Sequence, residues 1–167
     1  MNESISEITN RIQDQKTRRA VKAAFDKVVL DSGNNKAEIL TAAKQLTKED
    51  NGKTFYLNSA TEFTVTLPAV ATAGLGWCCE FIVMAAPSGA AYVITELASS
   101  DTNVIIVNGI NELEVDTSDD GPYLATTTTI SFADGVAVAG DWVRIRSNGV
   151  TYFATGQTNA DGGIAVA

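Results

Sequence analysis

Histidine is absent from the 167 residues. That removes the commonest general base, the group that activates a catalytic serine and the commonest transition-metal ligand at once. An ordinary hydrolytic or metal-dependent enzyme is a poor fit to such a chain. Proline is scarce, with three residues, and hydrophobic residues make up 45%, which is the composition of a folded domain and not of a disordered one. Cysteine is confined to the adjacent pair Cys78 and Cys79. Neighbours on a strand point to opposite faces, so a disulfide between them would be badly strained, and both read as small apolar residues in a reducing compartment. No run of 18 or more apolar residues occurs, and the start, MNESISEITNRIQDQ, is polar where a signal peptide needs a basic beginning and an apolar middle. The expectation is a cytoplasmically made chain that folds without metal, cofactor or disulfide.

Length allows one domain of ordinary size plus an extension. Charge is unevenly placed. Residues 1–50 hold nine Lys/Arg against eight Asp/Glu, while residues 51–167 hold three against twelve. So acidic a body repels nucleic acid and anionic membrane, and neither is expected as a partner.

The hydrophobic pattern divides the chain. Ile5, Ile8 and Ile12, then Val21, Ala24, Phe25 and Val28, recur at three- and four-residue spacings, which predicts a helical N-terminal arm over residues 1–35. The stripe lapses between Gln13 and Arg19, so the arm is either one helix with an exposed middle or two helices meeting near Lys16–Thr17, and Asp31-Ser32-Gly33-Asn34-Asn35 ends it. From residue 36 onward the chain reads as an all-β body, an antiparallel sandwich or barrel-like fold. Phe63, Val65 and Leu67 alternate with threonines; Trp77, Cys79, Phe81 and Val83 alternate with Cys78, Glu80, Ile82 and Met84. Further runs lie at Tyr92–Thr95, Val104–Val107, Leu113–Val115, Thr126–Phe132, Trp142–Arg146 and Thr151–Thr155, separated by turn formers every 8–12 residues or so. Asn148-Gly149 predicts a two-residue hairpin turn in which Ile145 pairs with Tyr152 and Val143 with Ala154. Thr47 and Gly52 bracket a single helical turn where the sheet begins.

Several groupings imitate sites. Glu112, Glu114, Asp116, Asp119 and Asp120 offer oxygen ligands of the kind calcium prefers, but without a calcium-loop spacing they read as a solvated acidic face. Gly74-Leu75-Gly76 and Asp161-Gly162-Gly163 do not lead from a strand into a helix bearing Lys-Ser/Thr, so they read as turns and not phosphate cradles. Serines such as Ser88 lack a nucleophile elbow. The basic cluster Lys16, Arg18, Arg19, Lys22 and Lys27 sits beside Asp14 and Asp26, which favours a solvated helix face, or a patch that meets an acidic protein, over nucleic acid.

The segment LTKEDNGKTFYLNSATEFTVTLPAVATAGLGWCCEFIV and, later, GDWVRIRSNGVTYFATGQ resemble small virion proteins of tailed bacteriophages. The features that match are Leu46, Thr47, Asp50, Gly52, Lys53, Phe55, Leu57, Thr66, Leu67, Pro68, Gly140, Asp141, Trp142, Asn148, Gly149, Tyr152, Phe153 and Gly156, within residues 40–160 or so. The resemblance implies a capsid decoration or cement protein: a structural, non-enzymatic homotrimer on the capsid surface of a virion assembled in the host cytoplasm. Its expected partners are the major capsid protein and copies of itself. The arm residues Ile5, Ile8, Ile12, Arg18, Arg19, Val21, Phe25 and Val28 are the expected docking surface. The competing reading is a tail-fibre or spike module that binds host-surface glycans through aromatics such as Tyr123 or Tyr152 beside carboxylates.

Overall fold

A computed structural model describes residues 17, 19–23, 36–102, 104–113 and 125–167. The chain divides into two units, Met1–Asn35 and Lys36–Ala167. In the first, Thr17 and residues 19–23 are helical. The rest of the expected arm, including Ile5, Ile8, Ile12, Arg18, Phe25 and Val28, lies outside the described residues.

The second unit is β-rich. Its described strands are β1 (Ala37–Leu40), β2 (Lys44–Gln45), β3 (Lys53–Leu57), β4 (Phe63–Thr66), β5 (Leu75–Val83), β6 (Tyr92–Thr95), β7 (Ile105–Glu112), β8 (Ala125–Thr127), β9 (Thr129–Phe132), β10 (Trp142–Asn148), β11 (Tyr152–Thr158) and β12 (Ile164–Val166). They form a seven-stranded sheet, ordered β1-β3-β5-β10-β11-β7-β8, and a five-stranded sheet, ordered β12-β9-β6-β4-β2.

Both sheets are mixed, which corrects the antiparallel expectation. β1–β3, β3–β5, β11–β7, β2–β4 and β4–β6 all pair parallel. The cause lies in the order of visits. From β1 to β7 each strand lies in the opposite sheet to the one before it. A strand that reverses direction into the other sheet is followed by one that reverses again, and so returns parallel to the first. For the four parallel pairs other than β11–β7, the crossover that such pairing requires is a strand of the facing sheet. Alternating hydrophobicity reports only which residues face inward, and carries no information on strand direction.

The inward residues of both sheets meet in one core. The large sheet supplies Phe55, Leu57, Trp77, Cys79, Phe81, Val83, Ile105, Val107, Val143, Ile145, Tyr152 and Ala154; the small one supplies Phe63, Val65, Tyr92, Ile94, Ile130, Phe132 and Ile164. Each large apolar side chain so buried contributes about 1.5–3 kcal/mol. Aromatic pairs reinforce the packing: Phe55 stacks on Phe81 at 5.4 Å and Trp77 meets Tyr152 edge-on at 5.8 Å between ring centroids. The expected single run Thr126–Phe132 is two strands in different sheets, with Thr128 as the corner between β8 and β9.

The hairpin is one step looser than expected. Ser147 pairs with Tyr152, Ile145 with Ala154 and Val143 with Gly156. The faces are as anticipated, but the register slips by two residues because Asn148 closes the turn with its side chain. Its Oδ1 accepts the N–H groups of Val150 (2.9 Å) and Thr151 (2.7 Å), and Ser147 Oγ accepts that of Gly149 (2.9 Å). Gly149 has φ +90°, and a Cβ there would meet the Leu75 backbone nitrogen at 3.4 Å. The turn over Lys48–Asp50 forms as expected, with the Asp50 carboxylate accepting the N–H of Thr47 at 2.9 Å.

Candidate interaction surface

The outward residues of the large sheet line up across its strands. One row, perpendicular to the strands, runs Ile39, Tyr56, Ile82, Trp142, Gln157, Asn111. Its first four members make an apolar band on the solvent side, with Ile39 55% exposed and Met84, just past β5, 50% exposed. The next row is polar: Thr54, Glu80, Arg144, Thr155. Arg144 donates to Glu80 Oε1 at 2.7 Å, and its guanidinium lies 5.6 Å from the centre of the Trp142 ring. A third row holds Cys78, Arg146, Phe153, Ile106 and Thr126. A shallow cleft of about 230 Å³, lined by Gly52, Lys53, Thr54, Cys78, Cys79, Glu80, Arg144 and Arg146, spans the last two rows.

Residues 51–167 contain three cations, Lys53, Arg144 and Arg146, and all three border this cleft. Lys53 is committed elsewhere. It bridges Asp50 at 2.7 Å and Glu38 at 3.1 Å, while Lys44 bridges Glu38 at 2.6 Å and Asp50 at 3.5 Å, closing a square of two cations and two anions. The hydrogen bond from Lys44 holds the Glu38 carboxyl below its ordinary pKa, against some desolvation and with help from Lys53. Burial opposes the charge on Asp50, but hydrogen bonds from Lys53 and the Thr47 N–H outweigh it and lower that pKa as well. Lys53 is raised in turn, mainly by its hydrogen bond to Asp50. The square ties β1, β2 and β3 together. It is framework, and it commits both carboxylates, Glu38 and Asp50, to lysines.

The buried acids elsewhere are used in the same way. Asp141 accepts the N–H of Val138 (2.9 Å), the hydroxyl of Thr158 (3.1 Å), the N–H of Asn159 (2.9 Å) and Asn159 Nδ2 (2.8 Å). Asp101 accepts the N–H of Val70 at 3.0 Å, and Glu96 that of Val104 at 2.9 Å. Among the described residues no group of three or more His, Cys, Asp or Glu gathers as metal ligands would, and no helix is long and apolar enough to cross a membrane. Cys79 is buried and its thiol pKa is pushed well up by desolvation; Cys78 is half-buried on the outer face, and both are free thiols.

Of the expected docking residues, Arg19 is exposed and Val21 half-buried on the helical stretch; the other six fall outside the described residues. The glycan reading loses one of its aromatics. Tyr152 is fully buried, and its hydroxyl donates to the Pro68 carbonyl at 2.8 Å. It belongs to the core, because it lies on the inward face of β11. Tyr123, and the acids Glu114, Asp116, Asp119 and Asp120, lie outside the described residues; Glu112 accepts the N–H of Gly162 at 3.2 Å. Sequence reasoning missed the outer-face rows. The outward side of β10 and β11 was readable from alternation, but which strands neighbour them was not. No known protein family, curated protein or solved structure matches the chain.

Proposed function

We propose that this chain is a non-enzymatic structural protein of a tailed-phage virion, one that decorates or cements the capsid by binding capsomers and neighbouring copies of itself. One observation carries the reading: the outer face of the large sheet carries an apolar row of exposed Ile39 and half-buried Tyr56, Ile82 and Trp142, while the described buried carboxylates are tied to backbone and side-chain donors of their own fold. Such a body offers surface and rigidity, not reactive groups. The helical arm of residues 1–35, with its stripe of Ile5, Ile8, Ile12, Val21, Phe25 and Val28 and its basic Arg18 and Arg19, adds a second attachment point in this proposal. Linked contacts multiply through effective concentration, so individually weak ones suffice on a repetitive shell.

The test is to mix the purified chain with phage heads that lack it and, separately, with host cells. Saturable binding to heads supports the proposal. Adsorption to cells without binding to heads supports the tail-appendage reading instead.

A further inference from the structure

We propose that β1, at one edge of the large sheet, pairs antiparallel with β1 of a second copy of the chain across a twofold axis. The inference gives a place to the contact between copies in the reading above, and rests on that reading.

The backbone of β1 points two ways. Lys36 and Leu40 turn their carbonyls toward β3, where they accept the N–H groups of Thr54 and Asn58. By alternation Ala37 and Ile39 turn their carbonyls and N–H groups to the other side. There, no backbone group of another described residue meets them. A row of unpaired donors and acceptors on an extended strand is a template for another strand, and proteins commonly blunt it with a proline, an edge lysine or a charge on the inward face. Among the described edge strands β1 is the longest, with four residues against three in β8 and β12 and two in β2. It contains no proline and no lysine. Its inward charge, Glu38, is neutralised by Lys44 and Lys53.

A second copy is the occupant because this edge is complementary to itself. An axis at Glu38 would set like charges opposite each other. An axis at Ile39 lets the two Ile39 residues exchange both of their backbone bonds and sets Glu38 opposite Leu40 of the second copy, which avoids the repulsion. It also keeps both outer faces on one side, so the apolar row Trp142, Ile82, Tyr56, Ile39 runs on through the axis into its own copy. Ile39, 55% exposed, is then covered by the same residue. Charge allows the approach only here. Residues 51–167 hold three cations against twelve acids, so two bodies repel in general. At this edge the two lysines and two carboxylates of the square cancel, and Lys36, whose Nζ lies beside Gly52, adds a positive charge. Beyond about 8–10 Å the remaining charges are largely screened. A contact between identical surfaces closes at two copies, where the resemblance implies three.

Sedimentation velocity of the full chain from about 1 to about 300 µM spans the affinities that a small interface supports. The parent is run beside Ile39→Pro, Ile39→Glu and Ile39→Lys, the last two alone and as an equimolar mixture. Proline removes an N–H that the β1–β3 ladder does not use, so the fold should hold, and circular dichroism checks that it does. The expected result is concentration-dependent dimers of the parent, weakened about tenfold or more in Ile39→Pro. Each charged variant alone should weaken by about as much, because the same charge then meets itself across the axis, and the mixture should regain about fivefold, because opposite charges meet. A parent that stays monomeric overturns the inference and leaves the edge to a strand of another protein. Dimers of undiminished strength in Ile39→Pro overturn it too, as do charged variants that associate no better mixed than alone. Binding to heads, measured in parallel, tests the underlying proposal separately, since a chain that binds heads but never itself contradicts only the β1 pairing.

Discussion

Asp141 separates a structural from a chemical reading of the buried acids. Its carboxylate is fully buried and accepts four hydrogen bonds, from Val138, Thr158 and both nitrogens of Asn159. In Asp141→Asn the amide NH₂ must replace one oxygen. At the Oδ1 position it faces both nitrogen donors of Asn159, and both bonds to that oxygen would be lost. At the Oδ2 position the Thr158 hydroxyl can turn to the Ala160 carbonyl, 3.1 Å away, and only the bond from the N–H of the exposed Val138 is lost. The second arrangement is the cheaper. One hydrogen bond is lost and the remaining ones lose their charge assistance, so the loss should be about 1–3 kcal/mol. For a body of this size that lowers the melting temperature by about 3–12 °C. Urea and thermal melts of the full chain check it. A variant that melts within 2 °C or so of the parent would refute the argument that Asp141 exists to hold the β9–β10 loop to the end of β11.

Gly149→Val should lose about 1–2 kcal/mol by forcing a β-branched residue to positive φ, read as an earlier urea midpoint. Gly156→Ala should lose about 1–3 kcal/mol by overpacking, because its Cβ would lie 2.6 Å from the Trp142 carbonyl oxygen and 3.1 Å from Ile110 Cδ1; an unchanged melt would show that β10 and β11 can part. The ion square sets a pH window: Glu38 and Asp50 have folded pKa values below their unfolded ones, so their stabilisation is present above about pH 4.5 and lost as pH falls through the lowered values. Lys53 is raised, so its share persists through neutral pH and is lost only as pH climbs past its folded pKa. Melts across pH 2–7 should decline on the acid side, and less steeply in a Glu38→Gln variant. A maleimide should label one thiol, Cys78, in the folded chain and both in urea, given the burial of Cys79.

Much of the body is legible in the sequence because its core is made by alternation. The inward positions of β5, Trp77, Cys79, Phe81 and Val83, follow from period two alone, as do those of β4 and β10. Very short strands escape the same logic: Lys44–Gln45 and Ile164–Val166 hold too few residues to show a period. Ala37–Leu40 carries Glu38 on its inward-turned row, tolerated because Lys44 and Lys53 neutralise it. The hairpin register was misread because the Asn148 side chain widens the loop. The interaction surface was the least legible part, since Ile39, Tyr56, Ile82 and Trp142 come from four strands far apart in sequence. Only the sheet order makes them a row.

The most direct measurement is a titration of the full chain onto phage heads that lack it, counting bound copies per head, alongside a chain without residues 1–30. The account predicts saturation at a fixed stoichiometry for the full chain, and a truncated chain that melts cooperatively near the parental temperature yet binds heads at least tenfold more weakly. Absence of saturable binding to heads by the full chain would contradict it.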